Sequence, residues 1–183
     1  PAHIVYEAVE GEEVKNYLQY DAEEGAIDRA YTTEEITLTP SNGYFQILAY
    51  AADATDMVGM VVFGENDENT IIPVGTYIIN GTQADGTVLA STGVNSQGQI
   101  SMSFYGKTNA QGQITPPCYF FVGGTVEVSA ADGMLKLEVN AVNSYDVPVH
   151  IVMEYDLNTK QGLQYDMTEG EVNRTYSDAD KVV

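Results

Sequence analysis

The sequence predicts an all-β fold, either an antiparallel β-sandwich or a partly closed β-barrel, with internal pseudo-repeats. The chain contains 13 Tyr and 17 Gly and no Trp, and it is rich in Val, Ile and Thr, a mixture that favours strands and turns. Short apolar runs separated by turn residues recur at the spacing typical of sandwiches and barrels. No stretch sustains a helical period of about 3.6 residues. The one helix candidate is residues 11–20.

Two three-stranded meanders are predicted, at residues 37–63 and 125–153. Each contains a strand, a tight turn, an alternating strand and a third apolar run. The turns are Asn-Gly at 42–43 and Asp-Gly at 132–133, dipeptides that adopt the positive φ angles of two-residue hairpins. A Gly-Gly pair at 123–124 predicts a bulge or a sharp bend. Further strand candidates lie between the meanders, at residues 75–80, 87–91, 99–105 and 119–122.

One charged peptide occurs twice in the chain. Residues 15–32 align without gaps with residues 160–177, and LQYDAEEGAIDRAYT is matched by LQYDMTEGEVNRTYS. Just upstream in each case, PAHIVYE at 1–7 matches PVHIVME at 148–154. Similarity of this length at two separated places indicates duplication.

The duplication suggests how the chain is organised. We expect a single all-β domain over residues 1–183, in which duplicated modules at 1–32 and 148–177 flank a core at 36–147. The second module either begins another domain or closes the first by pairing with copy one, and closure is the prediction.

The repeated peptide itself is predicted to fold as a hairpin. Gly25 and its counterpart Gly170 supply the positive φ that closes such a turn. On the outgoing strand Arg29 shares the more apolar face with Ile27 and Tyr31. A guanidinium on that face needs a partner, because an unpaired buried charge is very costly.

The same module contains partners for this arginine. Asp21 or Glu24 is expected to pair with Arg29, and the Tyr20 ring to stack on it. The alternative is that the peptide contacts an anion or another ligand. The candidate ligand-binding residues are then Tyr20, Arg29, Tyr165 and Arg174.

The charge of the chain excludes several classes of partner. The formal net charge is −20, from 27 acidic and 7 basic residues. Nucleic acid would be repelled, and anionic membrane surfaces are disfavoured for the same reason. No apolar run of about 18 residues is present, so no membrane insertion is expected. If the protein is exported, its leader is expected to precede residue 1.

No catalytic residue can be assigned from the sequence. Cys118 is the single cysteine and lies among apolar residues, which is typical of an inert core thiol. His3 and His150 occupy the same position of the two modules, so they are expected to serve architecture and not catalysis. No nucleophile or metal-protease motif is visible.

No cofactor is expected, with calcium as the alternative. Two acidic loops cluster oxygen ligands of the kind that Ca²⁺ prefers. Neither has the spacing of a known calcium loop, so solvated acidic loops are the competing interpretation. The candidate metal ligands are Asp53, Asp56, Glu65, Asp67 and Glu68.

Three segments carry a resemblance to a known group of proteins. They are IIPVGTYIING at 71–81, GGTVEVSAADGMLKLEVNAVNSYD at 123–146 and HIVMEY at 150–155. The chain over residues 36–155 resembles secreted and lipid-anchored surface proteins of gut Bacteroidetes. The resemblance implies a β-barrel or β-sandwich and a location outside the cell, on the outer membrane or in the periplasm. It implies no catalytic residues.

These observations favour a non-enzymatic, extracellular or cell-surface module that binds a glycan or another protein, or serves as a structural unit. Tyr rings would replace Trp as the platform for sugars. A lipocalin-like carrier of a small apolar ligand is the alternative, and a glycan-acting hydrolase with paired carboxylates is the third reading. An enclosed apolar cavity would favour the carrier, an exposed Tyr strip the glycan binder, and two facing carboxylates the enzyme.

Overall fold

The computed structural model describes residues 20–65, 72–94 and 99–158. These residues form one mixed sheet of eleven strands that curls into a nearly closed barrel. The prediction of an all-β fold, either a sandwich or a partly closed barrel, is confirmed, and the nearly closed sheet corresponds to the barrel alternative. A 3₁₀ turn at Thr33–Glu35 joins the first two strands. The strands are β1 (Ile27–Tyr31), β2 (Ile36–Ser41), β3 (Tyr44–Tyr50), β4 (Asp56–Phe63), β5 (Gly75–Asn80), β6 (Thr87–Leu89), β7 (Phe104–Thr108), β8 (Ile114–Phe120), β9 (Gly123–Ala131), β10 (Met134–Val142) and β11 (Pro148–Asp156).

The strands follow the order β1-β11-β10-β9-β5-β6-β4-β3-β2, and the β7–β8 hairpin pairs with β4 through β7. Most neighbours are antiparallel, as the sequence predicts. Two pairs, β1–β11 and β5–β6, are parallel. Among the described residues, none lies in a helix with the length and apolar character that crossing a membrane requires.

Both meanders are present where the alternation places them. Strands β2, β3 and β4 form the first, and β9, β10 and β11 the second. At the second hairpin Asp132 and Gly133 have φ values of 53° and 79°, the two positive angles that a type I′ turn needs. The Gly123–Gly124 pair lies inside β9 and pairs in regular register with β10. No bulge forms there against β10, so the bulge alternative is wrong.

The strand candidates between the meanders agree with the observed strands to different extents. Residues 75–80 coincide with β5, and 87–91 contains β6. Residues 119–122 contain only the end of β8. The expectation for 99–105 is wrong over most of its length, because only Phe104 and Tyr105 lie in a strand, β7, and Ile100 forms an isolated bridge with Val94. The helix candidate at 11–20 lies outside the described residues apart from Tyr20.

Side chains fill the interior of the barrel. The inward positions of β3 and β10 alternate as predicted, and each is completely buried: Phe45, Ile47 and Ala49 in β3, and Leu135, Leu137 and Val139 in β10. A second, smaller cluster lies on the other face of β4, beneath the β7–β8 hairpin. It consists of Met57, Phe104, Cys118 and Phe120.

The pairing of strand β1 differs from the prediction more than that of any other predicted strand. It does not form a hairpin with the residues before it, because its hydrogen-bonding partner is β11. Asp21, expected on the incoming strand of that hairpin, makes an isolated parallel bridge with Cys118. The predicted alternation is nevertheless confirmed: Tyr31 is 1% exposed, while Asp28 and Ala30 face solvent. The first module thus pairs with the start of the second, through β1 and β11.

Candidate ligand-binding cleft

Strand β3 presents an outward face that carries two exposed tyrosines. Because its inward positions are apolar, the alternating residues Tyr44, Gln46, Leu48 and Tyr50 point away from the core. Tyr44 is 37% and Tyr50 45% exposed. Leu48 packs against the smaller cluster and separates the two. The two ends of this face therefore have different surroundings.

The Tyr44 end of this face forms the floor of an open cleft. In the β3–β4 register Tyr44 lies opposite Phe63 and Gln46 opposite Val61. The Tyr44 and Phe63 rings are 6.1 Å apart between centroids and tilted by 54°. The cleft has a volume of about 640 Å³. Its lining residues are Asn42, Gly43, Tyr44, Gln46, Val61, Phe63, Gln83 and Asp85.

One wall of the cleft is the loop between β5 and β6, which carries Gln83 and Asp85. The loop is held at both ends. The Asn80 side-chain oxygen accepts hydrogen bonds from the Thr82 amide at 2.9 Å and its hydroxyl at 2.8 Å. At the other end the Gly86 amide donates to the Phe63 carbonyl at 3.0 Å. These bonds fix the loop against β4, so its polar side chains have a defined place beside the aromatic floor.

The chemistry of the lining is a mixture of aromatic, amide and carboxylate groups. Asn42, Gln46 and Gln83 each offer a carbonyl acceptor and an NH₂ donor, and Asp85 accepts two or more hydrogen bonds. Asp85 is the one carboxylate among the residues that line the cleft. A glycosidase uses two carboxylates that flank the scissile bond. Among the described lining residues, no second carboxylate lies opposite Asp85.

A second, more apolar depression lies beside the smaller cluster. It has a volume of about 250 Å³ and is lined by Tyr20, Val94, Ile100, Ile114, Pro116 and Cys118. Burial, with a smaller effect from the Asp21 charge, raises the pKa of the Cys118 thiol to about 11. The thiol is therefore uncharged at neutral pH, which makes it a poor nucleophile and metal ligand.

Arg29 is bound, but not by the partners expected from the sequence. Its Nε lies 3.1 Å from Oδ1 of Asp56 at the start of β4, and its guanidinium lies 5.5 Å from the centre of the Tyr31 ring. The prediction of Asp21 or Glu24 as partner, and of Tyr20 as the stacking ring, is wrong. The reason is the topology of the sheet. Strand β1 pairs with β11 at one edge of the curled sheet, and from there Arg29 and Tyr31 reach Asp56 in β4.

Four side chains contact the buried carboxylate of Asp56: Arg29, Tyr31, Lys107 and Thr55. The Tyr31 hydroxyl donates to its Oδ1 at 2.7 Å, and Lys107 Nζ lies 3.5 Å from its Oδ2. Burial alone would raise the pKa of Asp56, but the hydrogen bonds from Tyr31 and Arg29 and the positive charges outweigh it. The pKa is lowered. Thr55 supplies the fourth, long hydrogen bond.

Asp21 has a different set of partners, in β8 and in the loop between β10 and β11. Its Oδ1 accepts from the Phe120 amide at 3.1 Å and from the Asn143 side chain at 3.0 Å. Its Oδ2 accepts from the Ser144 amide at 3.0 Å and also from the Ser144 hydroxyl. This buried carboxylate is satisfied without any cation, which explains why it does not pair with Arg29.

The calcium candidates that lie within the described residues, Asp53, Asp56 and Glu65, do not form a ligand set. Asp53 is exposed and accepts hydrogen bonds from Thr55, and Asp56 is engaged as described above. Glu65 is exposed. Asp67 and Glu68 lie outside the described residues. Within residues 20–65, 72–94 and 99–158, no group of three or more His, Cys, Asp and Glu side chains is arranged to hold a metal ion.

The ligand-binding candidates of the repeated peptide are also separated. Tyr20 lines the apolar depression beside Cys118, whereas Arg29 reaches Asp56. Tyr165 and Arg174 lie outside the described residues. The structure therefore does not join Tyr20 and Arg29 in one site.

No family model, curated protein or solved structure matches this chain. The geometry of the described residues is consequently the basis for a function.

The cleft residues were missed by sequence reasoning, although part of the signal is visible. Tyr44 and Gln46 have the outward parity of a strand whose inward residues are apolar, and Tyr44 follows the Asn-Gly turn directly. Gln83 and Asp85 belong to NGTQADGT, which reads only as a turn. Their convergence depends on the position of the β5–β6 loop against β4, and the sequence gives no sign of that position.

Proposed function

We propose that this protein is a non-enzymatic, extracellular or cell-surface module that binds a neutral glycan in the cleft on the outer face of β3 and β4. The observation that supports it is the Tyr44–Phe63 aromatic floor beside amide and carboxylate side chains. Sugars present an apolar face of C–H groups and a rim of hydroxyls. An aromatic ring and converging hydrogen-bonding groups match these two features.

The size and charge of the cleft narrow the class of glycan. Its volume of about 640 Å³ falls in the usual range of ligand sites, about 300–1,000 Å³. The chain carries a net charge of −20, and Asp85 adds a negative charge to the lining itself. Acidic polysaccharides would be repelled, so uncharged oligosaccharides are the expected ligands.

The proposed location and source follow from the resemblance to Bacteroidetes surface proteins and from the acidic composition. A secreted or lipid-anchored protein of that kind, built with an internal repeat, would present glycan-binding surfaces outside the cell.

A second candidate is the binding of a small apolar ligand in the depression beside Cys118. Its lining by Val94, Ile100, Ile114 and Pro116 favours such a ligand. The barrel interior does not offer a lipocalin-like alternative at its centre, where Tyr31, Phe45 and Phe121 are fully buried. A carrier of this type would therefore use the outside of β8 and not the inside of the barrel.

The deciding experiment is calorimetric titration of the protein with neutral oligosaccharides selected from a glycan array. We expect Tyr44→Ala to weaken binding by roughly tenfold or more, because it removes half of the aromatic floor. Tyr50→Ala is the matched control, since it removes an equally exposed tyrosine from the same strand face outside the cleft. Equal affinity of Tyr44→Ala and wild type, or loss of binding in Tyr50→Ala, would contradict the proposal.

A further inference from the structure

The first copy of the repeated peptide is attached to the rest of the barrel at three places. We call residues 20–31 the docking segment. At its start Asp21 is held by Phe120, Asn143 and Ser144. The Cys118 amide also donates to the Tyr20 carbonyl at 2.6 Å. This part of the segment lies against the end of β8 and the β10–β11 loop.

The middle of the docking segment is held through its backbone. The Tyr119 hydroxyl donates to the Gly25 carbonyl at 2.8 Å. Gly25 has φ of +92°, a conformation that glycine adopts without strain. The turn at this position thus has a requirement for glycine and a specific contact to β8.

The end of the docking segment is held by side chains. Arg29 and Tyr31 both bind Oδ1 of Asp56, at 3.1 and 2.7 Å. Strand β1, which carries both side chains, pairs with β11, and Asp28 lies opposite His150. The surface that receives the docking segment therefore consists of β4, β8, β11 and the β10–β11 loop.

The second copy of the peptide repeats the residues that make these contacts. Residues 165–176, aligned with the docking segment, have Asp166, Gly170, Arg174 and Tyr176 at the positions of Asp21, Gly25, Arg29 and Tyr31. We call residues 165–176 the twin segment.

Most positions at which the two copies differ, including the flanking Thr32, are exposed to solvent in the first copy. Five of them are exposed in the first copy: Glu23, Ala26, Asp28, Ala30 and Thr32. Ile27 is replaced by Val172, which is a small change on the same face. The side chains that hold the docking segment, Asp21, Arg29 and Tyr31, are therefore all kept in the twin segment, and most of the changes fall at exposed positions. Glu24 is also kept although it is exposed, and the buried Ala22 is changed.

The order of elements along the chain indicates where the twin segment belongs. The docking segment precedes the surface that receives it, and the twin segment comes after β11 of that surface. Residues 1–7, which precede the docking segment, match the sequence of β11. The sequence of β11 followed by the docking peptide therefore occurs twice in the chain, and the residues of β2 to β10 lie between the two copies.

We propose that the twin segment docks onto a second domain of the same kind, in an array in which each segment precedes the domain that receives it. The buried position that differs between the two segments is Ala22. Ala22 is 3% exposed, and the twin segment has Met167 there. A methionine at that site would overpack the described surface, so the test below includes a version in which Met167 is reduced to alanine.

The test joins residues 1–177 directly to residues 33–183, which places the twin segment before a second receiving domain. Ser177 then replaces Thr32 ahead of the 3₁₀ turn, and both have the hydroxyl of a capping residue. Cys118 is changed to Ser in the first unit, so that Cys118 of the second unit is the single thiol. Since Cys118 is 2% exposed in the folded barrel, its rate of labelling by a thiol reagent reports folding of the second unit.

We expect the second-unit thiol to react at least 100-fold more slowly than in denaturant. Arg174→Ala should speed its labelling about tenfold or more. Arg29→Ala, in the first unit, and Thr168→Ala, at the position aligned with the exposed Glu23, should not. A Met167→Ala version relieves the overpacking, and protection in that version alone also supports the proposal. Labelling at the denatured rate in both versions would overturn it, as would an Arg174→Ala protein that labels like its parent.

Discussion

The phenolic hydroxyl of Tyr31 donates a hydrogen bond to the Asp56 carboxylate at 2.7 Å, and this contact joins the first strand of the barrel to the fourth. The side chain of Asp56 is 3% exposed. Arg29, two residues before Tyr31, binds the same carboxylate oxygen. One buried acid therefore holds both inward side chains at the end of β1.

Replacing Asp56 by Asn should destabilise the fold while leaving its shape unchanged. Asn keeps an acceptor for Tyr31, but it removes the charge that Arg29 and Lys107 neutralise and turns an NH₂ group toward donors. We expect the free energy of unfolding to fall by about 1–3 kcal/mol, since the cations are partly solvated. Urea denaturation measures this. Asp53→Asn, three residues away and exposed, should unfold at the wild-type midpoint.

The Arg29–Asp56 interaction predicts non-additive effects of two substitutions. Arg29→Ala should cost about 1–2 kcal/mol in wild type and clearly less when Asp56 is already Asn, because the partner is then absent. A double-mutant cycle by urea denaturation gives the difference. Lys136→Ala, which removes an exposed ion pair with Glu138, should be additive with Asp56→Asn. Additivity of the Arg29 and Asp56 changes would show that the pair contributes nothing.

The lowered pKa of Asp56 predicts a specific loss of stability in acid. A carboxyl whose pKa is lower in the folded than in the unfolded chain stabilises the fold above the unfolded pKa, about 3.9 for Asp. That contribution disappears as the pH falls through the folded pKa. The stability difference between wild type and Asp56→Asn should hence be constant from pH 5 to 7 and shrink below about pH 4. An equal difference at pH 3 and pH 6 would contradict this account.

The elements that the sequence predicts well are those whose partners are close along the chain. The two meanders follow from alternation and from the Asn-Gly and Asp-Gly turns, which fix register locally. The inward direction of Arg29 follows from the same alternation. These inferences need only the period of a strand and the geometry of a turn.

The parts that sequence reasoning missed depend on contacts across the barrel. The alternation of β1 shows which face is buried but not that its neighbour is β11, more than a hundred residues away. Asp21 and Glu24 were the partners expected for Arg29 within its own module, yet Asp21 is already satisfied by Asn143 and Ser144. In the cleft, Tyr44 meets Phe63 through the β3–β4 register, and the β5–β6 loop completes the wall.

Gly124 should be among the least replaceable glycines of the described chain. A Cβ atom there would lie 2.1 Å from the Asn140 carbonyl oxygen, and φ is +114°. We expect Gly124→Ala to cost about 3 kcal/mol or more, since both the clash with backbone and the angle oppose it. Gly86→Ala is the matched control, with φ of +80° and open space, and should cost about 1 kcal/mol. Thermal unfolding of the two variants compares them, and equal midpoints would contradict the argument.

The parallel pairing of β1 with β11 also determines how the barrel responds to stretching. The chain enters β1 at Ile27, beside Val149, and leaves β11 at Asp156, beyond the opposite end of the pair. Tension along the polypeptide pulls the two strands in opposite directions along their axes. The hydrogen bonds between them are then sheared together instead of opening one after another. The barrel therefore resists tension at the point where its two terminal strands meet.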